Sequence, residues 1–169
     1  FIMSISVKEQ EKSFYLETRH TMYQMKVDQY GVLRHIWYGN RTGQDMEYLL
    51  DYPDVGFAGN IYEAGSDRTY SLDTFLQEYP TGETGDYRIP AISVVHEDGN
   101  HGLDLRYKDY RIVKGKYSIE GLPAVYASKE EAETLEITLQ DTASQIQVLL
   151  KYGVLEELDT ITRSAVICN

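Results

Sequence analysis

The constraint that acts hardest on this chain is a two-residue alternation of apolar and polar side chains. It recurs along most of the length, and no helical period is long enough to form an ordinary helix. Successive side chains of a strand point to opposite faces, so period two marks a half-buried strand. Residues 13–18 set Phe14 and Leu16 inward, and 22–28 set Tyr23, Met25 and Val27 against Gln24, Lys26 and Asp28. Gly31 supplies a turn, and 32–39 follow with apolar residues on both faces. His35 in that run reads as a hydrogen-bonded core histidine, because buried polar groups are satisfied. Residues 91–96 and 103–116 flank an Asp98-Gly99 pair, a hairpin signal, and a phase change near Lys108-Asp109 predicts a bulge. The acidic run 129–133 reads as a solvated strand edge, and 134–140, 146–154 and 160–168 alternate cleanly. Turn signals about every ten residues complete the pattern of an all-β fold. The expected architecture is a large antiparallel two-sheet β-sandwich carrying a long irregular insert over residues 40–90.

The heart of that insert, 48–90, has neither strand nor helix period. An insert this long inside a compact domain is functional or disordered, and disordered segments are poor in aromatic residues. This one carries Tyr52, Phe57, Tyr62, Tyr70, Phe75, Tyr79 and Tyr87. It is therefore expected to be ordered and packed by its own rings. It is also the place where Asp51, Asp54, Asp67, Asp73, Glu78 and Asp86 would meet Arg68, Arg88 and a ligand or partner.

Charge removes several functions. The 27 acidic residues outnumber the 16 basic ones for a net charge of -11, and no basic run exists to grip a phosphate backbone or an anionic bilayer. No apolar run approaches the roughly 20 residues of a membrane span, and residues 1–8 lack the features of a secretory leader. The single cysteine, Cys168, suits a reducing cytoplasm. The four histidines fall at no metal-binding spacing, so no metal site is expected. No nucleophile motif or phosphate loop is present, and acidic loops on a sandwich are more often solvated than catalytic. The expected catalytic set is empty. What the insert offers is recognition: rings, carboxylates that accept hydroxyl protons, and arginine forks, a combination suited to a sugar. Met3 reads as a natural start preceded by a Phe1-Ile2 remnant. The last strand runs to Asn169 without a polar tail, as if cut at a domain boundary.

Five runs arrive in order: SDRTYSLDTFLQEYPTGETGDYRIPA from Ser66, DLRYKDYRIVKGK from Asp104, GLPAVY from Gly121, AETLEITLQD from Ala132 and DTITRSAVICN from Asp159. Together they resemble the amino-terminal domain of glycoside hydrolase family 36 α-galactosidases, over essentially the whole chain from about Ser13. The resemblance implies a β-supersandwich domain over 1–169, followed in the parent enzyme by a catalytic (β/α)8 barrel that this chain lacks. It implies retaining hydrolysis of α-1,6-galactosides such as melibiose, raffinose and stachyose, by two aspartates on the barrel, with no metal or organic cofactor. The fragment alone would be inactive.

Two substrate-binding residues are carried over by the resemblance. Arg68 sits in SDRTYSLD, and Asp54 in YPDVGF, where Val55 replaces the usual arginine; Asp51 is the alternative aspartate. Asp54 would accept bonds from galactose hydroxyls while Arg68 orients it or donates to the sugar. The other reading is that Arg68 pairs with Asp54 or Asp67 only to hold the loop. Partners implied are the galactoside, the domain's own barrel and neighbouring subunits of a homotetramer. A free-standing lectin-like sandwich and a purely structural oligomerisation domain are the competing readings.

Overall fold

The alternating runs form two four-stranded antiparallel sheets. The computed structural model describes residues 4–54, 56 and 59–169; Phe1, Ile2, Met3, Val55 and Phe57, all named above, lie outside them. The first sheet is β1 (Ile5–Lys8), β2 (Ser13–Glu17), β3 (Thr21–Val27) and β4 (Leu33–Asn40), in chain order. The second is β5 (Arg106–Lys114), β6 (Glu133–Gln140), β7 (Gln147–Leu155) and β8 (Thr160–Cys168), again in chain order. The expected two-sheet sandwich is what forms.

Register places like faces together. Phe14 stands opposite Met25 and Leu16 opposite Tyr23 in the first sheet; Ile137 stands opposite Leu150 and Leu139 opposite Val148 in the second. These side chains meet in one core between the sheets, with Phe14, Leu16, Met25, Leu135, Ile137 and Val148 fully buried. Each such burial contributes about 1.5–3 kcal/mol, so a one-residue slip would forfeit several at once. The turn before β4 needs Gly31 at φ 83°, and Asp28 Oδ1 accepts from the amides of Tyr30 and Val32 at 2.9 and 3.0 Å. The bulge in β5 appears where the phase changed, between Tyr107 and Asp109.

Three differences from expectation are physical. The strand β1 was not anticipated, because four residues are too few to display a period. Residues 91–96 are not a strand: beyond an isolated parallel bridge between Thr81 and Ile92 they pair with nothing regular. Their alternation is nonetheless real, since Ile92 and Val94 lean on the core while Val95 points out. Alternation reports which side chains face an apolar surface, not whether a neighbouring strand is present. Third, Gln24 is fully buried on the face of β3 opposite the core. Residues 41–50 fold over that face: the Met46 amide donates to Gln24 Oε1 at 3.0 Å, and Gln24 Nε2 donates to Asp45 Oδ1 at 2.7 Å.

The insert also closes an edge. The free side of β4 is paired by residues 76–78, with the His35 amide donating to Leu76 O at 2.8 Å and the Glu78 amide to Leu33 O at 3.0 Å. Among the described residues no helix is long and apolar enough to cross a membrane.

Candidate functional site

The insert is ordered by its rings, as its composition predicts, but not by all of them. Phe75 packs against Tyr52 and edge-on against Tyr70, with centroids 4.6 and 4.8 Å apart, and Tyr70 meets Tyr30 at 4.7 Å. Tyr62 and Tyr87 stay out in solvent. The organising cation is Arg34 of β4, only 3% exposed, whose guanidinium carbon lies 3.4 Å over the Phe75 ring and 5.5 Å from that of Tyr52. Its Nη1 is 3.5 Å from Asp28, while Nε and Nη2 have no hydrogen-bond partner among the described residues. Burial lowers the Arg34 pKa against the pull of Asp28. The ring faces supply what partners do not, a desolvated cation–π stack.

Beside this core rises an exposed lip. Arg68 Nε lies 3.1 Å from Asp54 Oδ1, with both side chains more than half exposed. The Gly56 amide donates to Asp54 Oδ1 at 2.7 Å, and Gly56 adopts φ 83°, a turn open to glycine. Asn60 Nδ2 donates to the Asp67 carbonyl at 2.5 Å, tying this loop to the segment that carries Arg68. The Asp67 carboxylate is engaged by Thr69 through its hydroxyl at 2.7 Å and amide at 3.0 Å, which hold its pKa below the usual range. Of the aspartates named for the sugar, Asp54 is therefore brought to Arg68. Asp51 instead lines a cleft of about 730 Å³ with Arg34, Tyr52, Asp67, Tyr70 and Phe75. An exposed ion pair contributes only about 0–1 kcal/mol. Both side chains stay open to solvent with donors and acceptors to spare.

Sequence reasoning missed the roles of residues deeper in. Glu78, with 1% of its side chain exposed, accepts the hydroxyls of Tyr23 from β3 and Tyr152 from β7, each at 2.8 Å. Arg163 Nη2 of β8 is 2.5 Å away and His35 Nδ1 of β4 is 3.3 Å away. One carboxylate of the insert thus knots both sheets together. Burial pushes both phenols far up, with Glu78 adding to the shift. His35 is hydrogen-bonded, as expected of a histidine on that face. A second brace is Asp86: its side chain, 1% exposed, takes Gln77 Nε2 at 2.7 Å and Arg88 Nε at 2.9 Å. Arg88 Nη2 in turn donates to the carbonyls of Leu72 and Phe75 at 2.8 and 2.5 Å. Burial opposes ionisation of Asp86, yet these bonds hold its carboxyl below the usual range. An arginine and an aspartate two apart were visible; that one would be buried was not.

Among the described residues, Glu11, Asp45 and Glu47 bring carboxylate oxygens within 4.8 Å of one another. Lysines already occupy the group: Lys8 lies 2.5 Å from Asp45 and 3.6 Å from Glu11, and Lys26 is bonded to Glu47.

Residues 31–169 match the model of the glycosyl hydrolase family 36 N-terminal domain. The chain is 53% identical over 99% of its length to the bifunctional alpha-galactosidase/sucrose kinase AgaSK of Mediterraneibacter gnavus, and covers 18% of that protein. It is 42% identical over 96% of its length to alpha-galactosidase AgaA of Geobacillus stearothermophilus, covering 22%. The solved galactosidase domain of AgaSK superposes with a TM-score of 0.92 over 96% of this chain and 23% of that one. A variant of AgaA in complex with raffinose does so at 0.85, with 41% identity over 94% of this chain and 22% of that one. The chain thus spans about a fifth of the length of the curated relatives it matches.

Proposed function

The chain belongs to the glycosyl hydrolase family 36 N-terminal domain family, and from that premise we propose that it is the non-catalytic amino-terminal domain of a retaining α-galactosidase. We assign residues 1–169 to this one domain, with the catalytic aspartates on a barrel outside them. One barrel aspartate attacks the anomeric carbon while the other protonates the departing oxygen. Water then releases galactose as that second group takes its proton. Substrates are α-1,6-galactosides of the melibiose, raffinose and stachyose kind. The partners are that barrel and neighbouring subunits of a homotetramer, in the cytoplasm.

This domain contributes the lip. Asp54 accepts hydroxyl protons of galactose, and Arg68, 3.1 Å from it, orients the carboxylate or donates to the sugar. The observation that carries the reading is that these two, far apart in any regular element, meet in an exposed pair on a braced loop. The test is Arg68→Ala in the enzyme that carries this domain. A charge-assisted bond contributes about 1.5–3 kcal/mol, so kcat/KM for melibiose should drop roughly ten- to a hundredfold. Unchanged turnover and KM would remove the sugar-site role. Titrating the 169-residue chain with galactose and raffinose separates the lectin-like reading, which requires millimolar or tighter binding by the chain alone.

A further inference from the structure

Resting on that reading, we infer that Tyr87 is a stacking platform for the sugar unit attached to the terminal galactose, and so sets the preference for the leaving saccharide. The sequence Asp86-Tyr87-Arg88 is built around its middle residue. Asp86 is buried and bonded by Gln77 and Arg88, and Arg88 is clamped to the carbonyls of Leu72 and Phe75. The Tyr87 amide itself donates to Asp73 Oδ1 at 3.2 Å. Between two anchored neighbours the Tyr87 side chain is 84% exposed. Asp86 and Arg88 order the backbone on either side, while the Tyr87 ring itself gains little burial within the domain. This arrangement preorganises a flat apolar face with a polar tip, the form that sugar rings use for contact.

Position ties that face to the lip. A Cβ built on Gly59 would lie 3.8 Å from the Tyr87 hydroxyl and 3.6 Å from the Gly85 Cα. The next residue, Asn60, is bonded to the carbonyl of Asp67, which precedes Arg68. The Tyr87 hydroxyl thus lies beside Gly59, one residue from Asn60, whose side chain is bonded to the carbonyl of the residue before Arg68. Glycines at 59 and 85 bring the two backbones together, with Gly59 O only 3.3 Å from a Cβ built on Gly85. A ring beside the galactose lip, rather than in it, is placed for the next unit of an oligosaccharide.

The test compares hydrolysis of raffinose with that of methyl α-galactoside, whose leaving group is too small to stack, in the enzyme that carries this domain. Stacking contacts of this size correspond to a few-fold change in affinity. Tyr87→Ala should lower the ratio of kcat/KM for raffinose to that for methyl galactoside about three- to tenfold, mainly through the raffinose KM. Tyr87→Phe, which keeps the ring, should restore the ratio. A ratio unmoved by Tyr87→Ala, or an equal loss on both substrates, overturns the inference. Asp54→Ala and Arg68→Ala assayed in parallel separate the two ideas. If they lose activity on both substrates while Tyr87→Ala leaves the ratio unmoved, the platform fails and the lip stands. If they lose none, the lip itself has failed.

Discussion

Removing Arg163 tests whether the Glu78 knot is a charged one. Breaking a fully buried ion pair by deleting one partner costs about 3–5 kcal/mol, because the survivor is stranded, whereas an exposed pair contributes about 0–1 kcal/mol. Here Glu78 is buried with 1% of its side chain exposed, but Arg163 is 49% exposed. Glu78 also keeps the Tyr23 and Tyr152 hydroxyls when Arg163 goes. The expected loss for Arg163→Met is therefore intermediate, about 2 kcal/mol, or roughly 4–8 °C in melting temperature for a chain of this size. The assay is urea unfolding of the 169-residue chain followed by far-ultraviolet circular dichroism, with Glu78→Gln and the double variant alongside. If charge is what Arg163 answers, Arg163→Met in the Glu78→Gln background should cost no more than about 0.5 kcal/mol. Simple additivity of the two substitutions would refute the argument. It would show that Arg163 matters through its contacts with the Tyr23 and Tyr152 rings, 5.8 and 5.6 Å away, and not through Glu78.

Arg34→Met removes the ring stack and leaves the largely buried Asp28 carboxylate, 3.5 Å away, with the Tyr70 hydroxyl but without its cation, so it should cost about 3 kcal/mol even though two unpartnered buried nitrogens go with it; a loss below about 1 kcal/mol in urea unfolding would contradict this. Burial opposes ionisation of Asp45, but bonds from Lys8, Gln24 and Tyr15 bring its pKa from 3.8 down to about 2. A lowered folded-state pKa stabilises above the unfolded value and is lost as pH falls. Asp45→Asn should therefore flatten the decline of the urea midpoint between pH 4 and pH 2, and an unaltered slope would disprove it. Gly153→Ala puts a methyl 2.7 Å from Thr162 Oγ1 and 2.9 Å from Lys116 Cγ on a packed sheet face, and should cost about 1–3 kcal/mol in thermal unfolding.

Both sheets were legible because a strand with one buried face must alternate, and residues 134–140 and 146–154 do so in register with each other. Where the alternation served another purpose, as at Ile92 and Val94, the same signal pointed to a strand that is not there. The pairing of Asp54 with Arg68 followed from motif resemblance, not from any period, since both lie in irregular backbone. What could not be seen was depth. Nothing local distinguishes Glu78 or Asp86, both buried, from Glu83 or Asp73, which are not. Glu78 is buried by tyrosines and an arginine brought from strands up to 85 residues away, and Asp86 by its neighbours Gln77 and Arg88 once the insert folds over them. Arg34 was read only as one face of a strand, and its stack on Phe75 depends on a loop folding back over it.

The pairing of residues 76–78 along β4 has a consequence for how this domain can be altered. A bare strand side is a template on which a second chain can add and grow into insoluble aggregate. Here the same three residues that cover that side also deliver Glu78 to both sheets. Shortening the loop across them would expose the template and strand two phenols at one stroke. Extra residues at the turn around Gly82 and Glu83, where Gly82 has open space, touch neither. Length variation in this insert should therefore be tolerated at the tip and refused at the seam.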